Sequence, residues 1–421
     1  MMHTTRRTLG AVAVALLAGL CWTSGASAQS GNPIKVGMSL ALTGAGAPAG
    51  KMLQAAIEIW RDDVNAKGGL LGRPVEIIVY DDQSNPASVP GLYTKLISVD
   101  KADLLLGPYG TNFVAPVMPT IIQNKKMLIS YTAIGINDQY KYDKYFSMVP
   151  VGSDGVNAFS KGFFEMAAKQ NPKPQTVAII AADAEFAQAA AQGAREELKK
   201  HGFKLVFDKS YPPTTTDFTP VMRAVQAANA DIVYAGAYPP DSVGLVRAAN
   251  EIGLNPKIFG GALIGQLVTP IKVQLGAIQN GLVIHESFVP SPKLNFPGLD
   301  DLMKRYQAKA AELKTDAIGF AFVPFGYTNG QILEQAVTAT KSLDHKVLAD
   351  YLRSNEMNTI VGSIRFGKDG EWATPRVVMI QFRGVVDKNI EQFHQAGKQV
   401  ILDPAQFKTG EMVEPFEKAR K

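Results

Sequence analysis

The stretch "ADLLLGPYGTNFVAPVMPTIIQNKKMLISYTAIG" (Ala102–Gly135) decides the fold. Its first apolar run, "ADLLLG", is short and ends in glycine and proline. Periodic apolar residues then run through "NFVAPVMPTIIQNKK". A second short run, "MLIS", ends in another glycine-bearing loop. Short apolar runs alternating with helical patterns are the mark of βαβ units and a parallel sheet. Right-handed crossovers place every strand-to-helix loop of such a sheet on one edge. "GPYGTNF" and "SYTAIG" are therefore expected to share that edge. Thr111, Asn112 and Tyr131 stand in these loops. A hydroxyl and free amides at a helix start can hold a carboxylate.

The pattern extends both ways. Upstream, "IKVGMSLAL" (Ile34–Leu42) reads as a buried strand, Lys51–Lys67 as a helix and "VEIIVYDD" (Val75–Asp82) as a second strand. Downstream, strands are expected at "TVAII", "KLVFDKSY", "DIVYAGAY" and "KIFGGAL". Helices are expected between them at 186–201, 218–228 and 242–252. Two consecutive α/β sets imply two lobes of similar build. Later helices at 298–314, 320–340 and 345–354 lack matching strands, and these can pack back onto the first lobe. The tail "ILDPAQFKTGEMVEPF" shows no clear period. In the second lobe, "GAYPPDSVG" places Tyr238 and Asp241 between a strand and a helix, and "DAEF" places Phe186 in the equivalent turn. An acid there caps a helix or, if it faces a cleft, suits an ammonium group.

The 421 residues are 46% hydrophobic and 19% charged, with a formal charge of +5 spread along the chain. No basic run points to nucleic acid. The first 28 residues have a positive start, an apolar run from Leu9 to Cys21 and the small-residue site Ala26-Ser27-Ala28. This reads as a secretory signal cleaved after Ala28, with a weak twin-arginine element at Arg6-Arg7. Cleavage removes both arginines, lowering the charge to +3, and removes the single cysteine, Cys21. The exported chain then has no disulfide and no thiol catalyst.

Three chemical motifs are near misses. "GAGAPAGK" departs from the dinucleotide fingerprint, with its third glycine displaced to Gly50. It departs from the P-loop through Ala45 and Met52. "GMSLA" (Gly37–Ala41) approximates a nucleophile elbow around Ser39, but no triad-like signature accompanies it. The remaining histidines (His201, His285, His345, His394) are scattered, and His285-Glu286 is an isolated pair on a strand. No metal, cofactor or catalytic residue is expected, and an exported serine hydrolase is a distant alternative.

Taken in order, "IKVGMSLALTGAGA", "GGLLGRPVEIIVYDDQSNP", "LLLGPYGTNFVAPVMP", "DIVYAGAYPPDSVGLVRAANEIGL" and "GYTNGQILEQAV" resemble the exported type I solute-binding proteins of ABC importers, of the leucine/isoleucine/valine-binding kind. The resemblance covers essentially the whole mature chain. It implies two doubly wound parallel-sheet lobes joined by three crossover segments. Lobe 1 is expected at 33–150 plus 286–362, and lobe 2 at 151–285 plus 363–421. It implies a periplasmic monomer that closes on a small-molecule ligand and delivers it to an ABC permease. By position, Thr111 and nearby amides hold the ligand carboxylate, with Ala133 and Gly135 in the neighbouring loop. Asp241 pairs the α-ammonium, Phe186 supplies an aromatic contact and Tyr327 lines the side-chain pocket. Ala49 replaces a large aromatic and leaves room for a longer ligand. An amino acid, branched-chain or larger and apolar, is the expected solute. An aromatic carboxylate or short amide is the alternative, and a sensor role on the same scaffold is compatible with the sequence.

Overall fold

The computed structural model describes residues 31–420. The proposed leader therefore lies outside the described residues. The first lobe opens with β1 (Ile34–Leu40), α1 (Ala47–Ala66), β2 (Val75–Asp81), α2 (Val89–Ser98) and β3 (Leu104–Leu105). It continues with α3 (Thr111–Gln123), β4 (Leu128–Ser130), α4 (Ile136–Tyr140) and β5 (Tyr145–Ser147). The second runs through α5 (Ala158–Ala168), β6 (Thr176–Ala182), α6 (Glu185–Lys200), β7 (Lys204–Tyr211) and α7 (Thr219–Ala227). Then come β8 (Ile232–Ala237), α8 (Pro239–Glu251), β9 (Ile258–Leu263), α9 (Thr269–Leu275) and β10 (Val283–Glu286). The chain ends with α10 (Leu299–Leu313), α11 (Val323–Thr340), α12 (His345–Ser354), β11 (Glu356–Thr359), β12 (Gly362–Arg365), β13 (Val378–Phe382), β14 (Gln399–Asp403) and α13 (Phe416–Arg420).

The first sheet has the order β2-β1-β3, with all pairs parallel. A parallel bridge from Leu106 to Ile129 carries it on to the parallel pair β4-β5. The second sheet runs β7-β6-β8-β9-β10-β13-β14. It is parallel through β10, and its last two strands are antiparallel. β1 and β8 are nearly continuous apolar runs because helices cover both faces of each sheet.

The chain crosses between the sheets three times: after β5, after β10 and before β13. On its return to the first lobe it lays α10 and α11 on α1. Arg305 chelates Asp63 there, at 2.6 and 2.9 Å. Gly330 is required at this contact, because a Cβ would stand 2.1 Å from the Trp60 ring. The third crossing falls later than the expected boundary at 362/363, which would cut β12. Residues up to Trp372 stay on the first sheet: the Ser147 amide donates to the Gly370 carbonyl at 2.9 Å, and Phe366 packs edge-on against Phe146.

Other differences have local causes. The helix expected at 242 starts at Pro239, because prolines need no amide partner in a first turn. Asp241 thus sits within that turn, and Tyr238 takes the cap position. The aperiodic tail supplies the antiparallel edge strand β14. Ser39 lies within β1, fully buried, and its hydroxyl donates to Asp82 at 3.4 Å. A nucleophile elbow instead exposes its serine on a strand-to-helix turn. Among the described residues no helix is long and apolar enough to cross a membrane, and no group of three or more His, Cys, Asp or Glu is placed to hold a metal ion.

Candidate functional site

A cavity of about 350 Å³ lies where the strand-to-helix loops of the two sheets face each other. Open α/β sheets bind ligands at the carboxyl ends of their strands.

The first lobe contributes the loops after β3 and β4. Gly110, at φ +99°, turns the chain from β3 into α3 and brings Tyr109, Thr111, Asn112 and Phe113 to the wall. The Ile134 amide donates to Thr111 Oγ1 at 3.2 Å, tying the two loops together. Thr132 lines the wall with a buried hydroxyl that has no partner among the described residues. The Phe113 and Val114 amides donate to the Gly110 carbonyl at 3.0 Å, which leaves those of Thr111 and Asn112 as the unsatisfied donors that a helix start presents. Tyr131 is buried, and its hydroxyl donates to the Phe322 carbonyl.

The second lobe contributes Phe159, Phe186, Tyr238, Asp241, His285 and Glu286. The Tyr238 hydroxyl donates to Asn112 Oδ1 at 2.9 Å and accepts from the Phe186 amide at 3.2 Å. Asp241 is 6% exposed, and its carboxylate accepts from Tyr211 at 3.2 Å. Burial pushes its pKa up to about 6, against the lowering effect of its hydrogen bonds. No salt bridge reaches Asp241 among the described residues, and the cavity lining contains no lysine or arginine. At the end of β10, Glu286 is fully buried and accepts from Lys272 at 3.1 Å. Burial lifts its pKa to about 7, against the pull of Lys272. Burial lowers the pKa of His285 to about 4.

Six of the residues expected from sequence line this cavity: Thr111, Asn112, Tyr131, Phe186, Tyr238 and Asp241. Four do not. Ala133 is buried beneath the wall, and its carbonyl accepts from Ser147 at 2.9 Å. Gly135 caps α4 in a left-handed conformation, and the intervening Ile134 is the lining residue. Tyr327 faces α1, with its hydroxyl donating to Asp63 at 2.7 Å. Phe322 and Phe325, five and two residues earlier, reach the cavity in its place. Ala49 lines a second cavity that shares Ala45, Gly46, Tyr109, Pro239 and Pro240 with the first. The sequence reading missed Tyr109, Thr132, Phe159 and the pair His285-Glu286. The signal available for that pair was its place at the carboxyl end of a strand.

The model of the family described as "Periplasmic binding protein" matches residues 33–384. The Leu/Ile/Val-binding protein of Escherichia coli K12 is 24% identical over 358 residues, covering 85% of this chain and 93% of that protein. Among solved structures, the branched-chain amino acid transporter substrate-binding protein LivJ of Streptococcus pneumoniae, in complex with isoleucine, superposes with a TM-score of 0.70 at 18% identity. That match covers 91% of this chain and 100% of the other. A solute-binding protein of an ABC transporter from R. palustris, in complex with 4-hydroxybenzoate, gives 0.72 at 19% identity, covering 90% and 97%. At such identities the structural likeness speaks to fold. The family match is stronger, since it runs from β1 through β13 and so takes in the first sheet, all but the edge strand β14 of the second, and every loop around the cavity. Its members bind substrates and are not enzymes. The chain belongs to the periplasmic binding protein family.

Proposed function

We propose that this protein is the periplasmic solute-binding component of an ABC importer, and that it captures an apolar α-amino acid between its lobes. The carrying observation is Asp241, a buried carboxylate in the cavity wall with no cationic partner among the described residues. A buried charge is costly until it is paired. An α-ammonium would supply the partner, and the ligand carboxylate would meet the Thr111 hydroxyl and the Thr111 and Asn112 amides at the start of α3. Aromatic and aliphatic walls suit an apolar side chain. The three crossings would serve as the hinge about which the lobes close. Export, the permease partner and a monomeric state belong to this reading. The relatives' amino-acid names support it.

A second reading has its own observation. Tyr109, Phe113, Phe159, Phe186, Phe322 and Phe325 make the lining unusually aromatic, which suits an aromatic carboxylate. The neighbour holding 4-hydroxybenzoate makes that chemistry feasible on this scaffold. A thermal-shift screen of the purified protein against amino acids, aromatic acids and short amides separates the two. Ligand at 100 times its Kd adds about 2.7 kcal/mol to stability, a plainly visible shift. A rise with α-amino acids supports the first reading. A rise confined to acids lacking an amine replaces it with the second.

A further inference from the structure

We propose that Arg376 is the clamp of the hinge: a positioning residue that ties the three crossings to one another and holds the lobes at the orientation that encloses the cavity. This rests on the reading that the lobes close about those crossings on a small solute.

Arg376 lies in the third crossing and touches the other two. Its backbone amide donates to the Pro150 carbonyl, in the first crossing, at 2.7 Å. Its guanidinium lies 5.4 Å from the ring centre of Phe296, in the second crossing, and 5.0 Å from that of Trp372, at the start of the third. Nη1 donates to the Val361 carbonyl in the first lobe. The segments are closely packed at this point. A Cβ on Gly362 would stand 2.8 Å from the Phe296 ring, and one on Gly152, in the first crossing, 3.3 Å from Pro375. Among the described residues no carboxylate pairs with Arg376, and its Nε and Nη2 are buried without a partner. Burial lowers its pKa to about 10, so the group stays cationic near neutral pH. Buried donors left unmade cost stability. What the charge gains is attraction to two ring faces from different segments, which is lost when either ring moves away. The group therefore favours one arrangement of the crossings over others. The same rings lead to the ligand wall. Trp372 packs on Phe325 with centroids 6.3 Å apart, Phe325 on Phe288 at 6.3 Å and Phe288 on Phe296 at 6.5 Å, which closes a circuit through the guanidinium. Phe325 lines the cavity, so the surface a solute would touch belongs to that circuit.

Pulsed dipolar spectroscopy between two spin labels across the cleft tests this. Ala87 and Thr214 are exposed beside Pro86 and Pro213, which line the cavity from opposite lobes. Ala87→Cys and Thr214→Cys supply the attachment points, and Cys21→Ser removes the only natural cysteine. Separations are read in the free protein and with leucine, phenylalanine or 4-hydroxybenzoate added. The short separation of this structure is expected as a distinct population when Arg376 is present. Arg376→Met should lower the ratio of short to long separations at least about threefold. Arg376→Lys, which keeps the cation and loses the planar fork, should recover part of it. Cooperative melting establishes that each variant is folded, and a merely structural role would lower the melting temperature and leave the ratio unmoved. If Arg376→Met does not fold, Phe296→Leu, which removes one ring face, carries the test in the same direction. A short population never seen in the wild type, free or with any of the three probes, overturns the clamp, as does one that persists undiminished in the folded variants. Failure of the solute reading shows separately, as a melting temperature that no amino acid or aromatic acid raises, and the ratio in the free protein still decides the clamp.

Discussion

The hydroxyl of Tyr238 donates to Oδ1 of Asn112 across 2.9 Å, linking the residue that caps α8 in one lobe to the first turn of α3 in the other. The same oxygen accepts from the Phe186 amide, so one hydroxyl joins three of the loops that build the cavity. Burial pushes the Tyr238 pKa up to about 12, which keeps the proton available for donation near neutral pH.

Tyr238→Phe removes this link and leaves the aromatic wall in place. A neutral hydrogen bond contributes about 0.5–1.5 kcal/mol, so affinity for a bound solute should fall roughly 3- to 10-fold. The loss should lie mainly in a faster dissociation rate, as is usual for variants of one interface. Stopped-flow fluorescence checks this. An unchanged dissociation rate would mean that the bond does not help hold the lobes over the ligand.

Asp241→Asn separates the charge from the shape. For an α-amino acid the variant should lose about 2–5 kcal/mol of binding, the cost of breaking a desolvated ion pair. For an acid without an amine it should lose little. The free protein should respond in the opposite direction. The folded pKa of Asp241, about 6, lies above its ordinary 3.8. Between those values the folded state holds more protons than the unfolded state, so stability falls as pH rises through that window. Above about pH 6 the ligand-free Asn variant should melt higher than wild type, by about 1–2 kcal/mol in stability, and the gain should vanish below about pH 4. Binding of an amine ligand to wild type should weaken as pH falls through about 6, because the ligand needs the ionised carboxylate. Thermal melts and titrations at pH 7.5 and 5 check both signs.

What the sequence disclosed follows from how local each signal is. The βα loops were legible because periodicity switches at them, so Thr111, Asn112 and Tyr131 could be placed on one edge and do line the cavity. Asp241 and Phe186 were legible for the same reason in the second lobe. Tyr327 was not, because its direction depends on the rotation of α11 against α1, which is set by the contact of Gly326 and Gly330 with Ala56 and Trp60. That contact spans more than 260 residues of chain and leaves no local period. The late third crossing was hidden for a related reason: Phe366 and Gly370 are held by β5, far upstream. His285 and Glu286 gave a strand signal, and only the topology shows that the strand ends at the cavity.

The α11–α1 contact has a direct test. A Cβ at Gly330 would sit 2.1 Å from the Trp60 ring, and Trp60 is itself fully buried, with its indole N–H donating to Glu334 at 3.2 Å. The ring cannot withdraw cheaply, so Gly330→Ala should destabilise the protein by about 1–3 kcal/mol or more. Gly91→Ala is the control. Its Cβ would meet nothing within 4 Å on the exposed start of α2, and the reduced freedom of the unfolded chain should stabilise by about 0.4–1 kcal/mol. Denaturant titration of both variants should give opposite signs.

Ala49 controls how far the binding space extends. It is buried in the first turn of α1 and lines the second cavity with Val243, Val268 and Ile271, beside the Tyr109 and Pro239 that both cavities share. A phenylalanine there would occupy that space, whose lining includes neither Thr111 nor Asp241. If the second cavity receives the distal part of a long apolar side chain, Ala49→Phe should leave leucine or isoleucine within about threefold and cost a bulkier amino acid such as tryptophan at least about 10-fold, in line with 1–3 kcal/mol per rejected group. Titration of the three amino acids against both proteins decides the matter. Equal losses for all three would mean that the new ring disturbs lobe closure, and equal retention would assign the second cavity to the mouth of the site and not to the ligand.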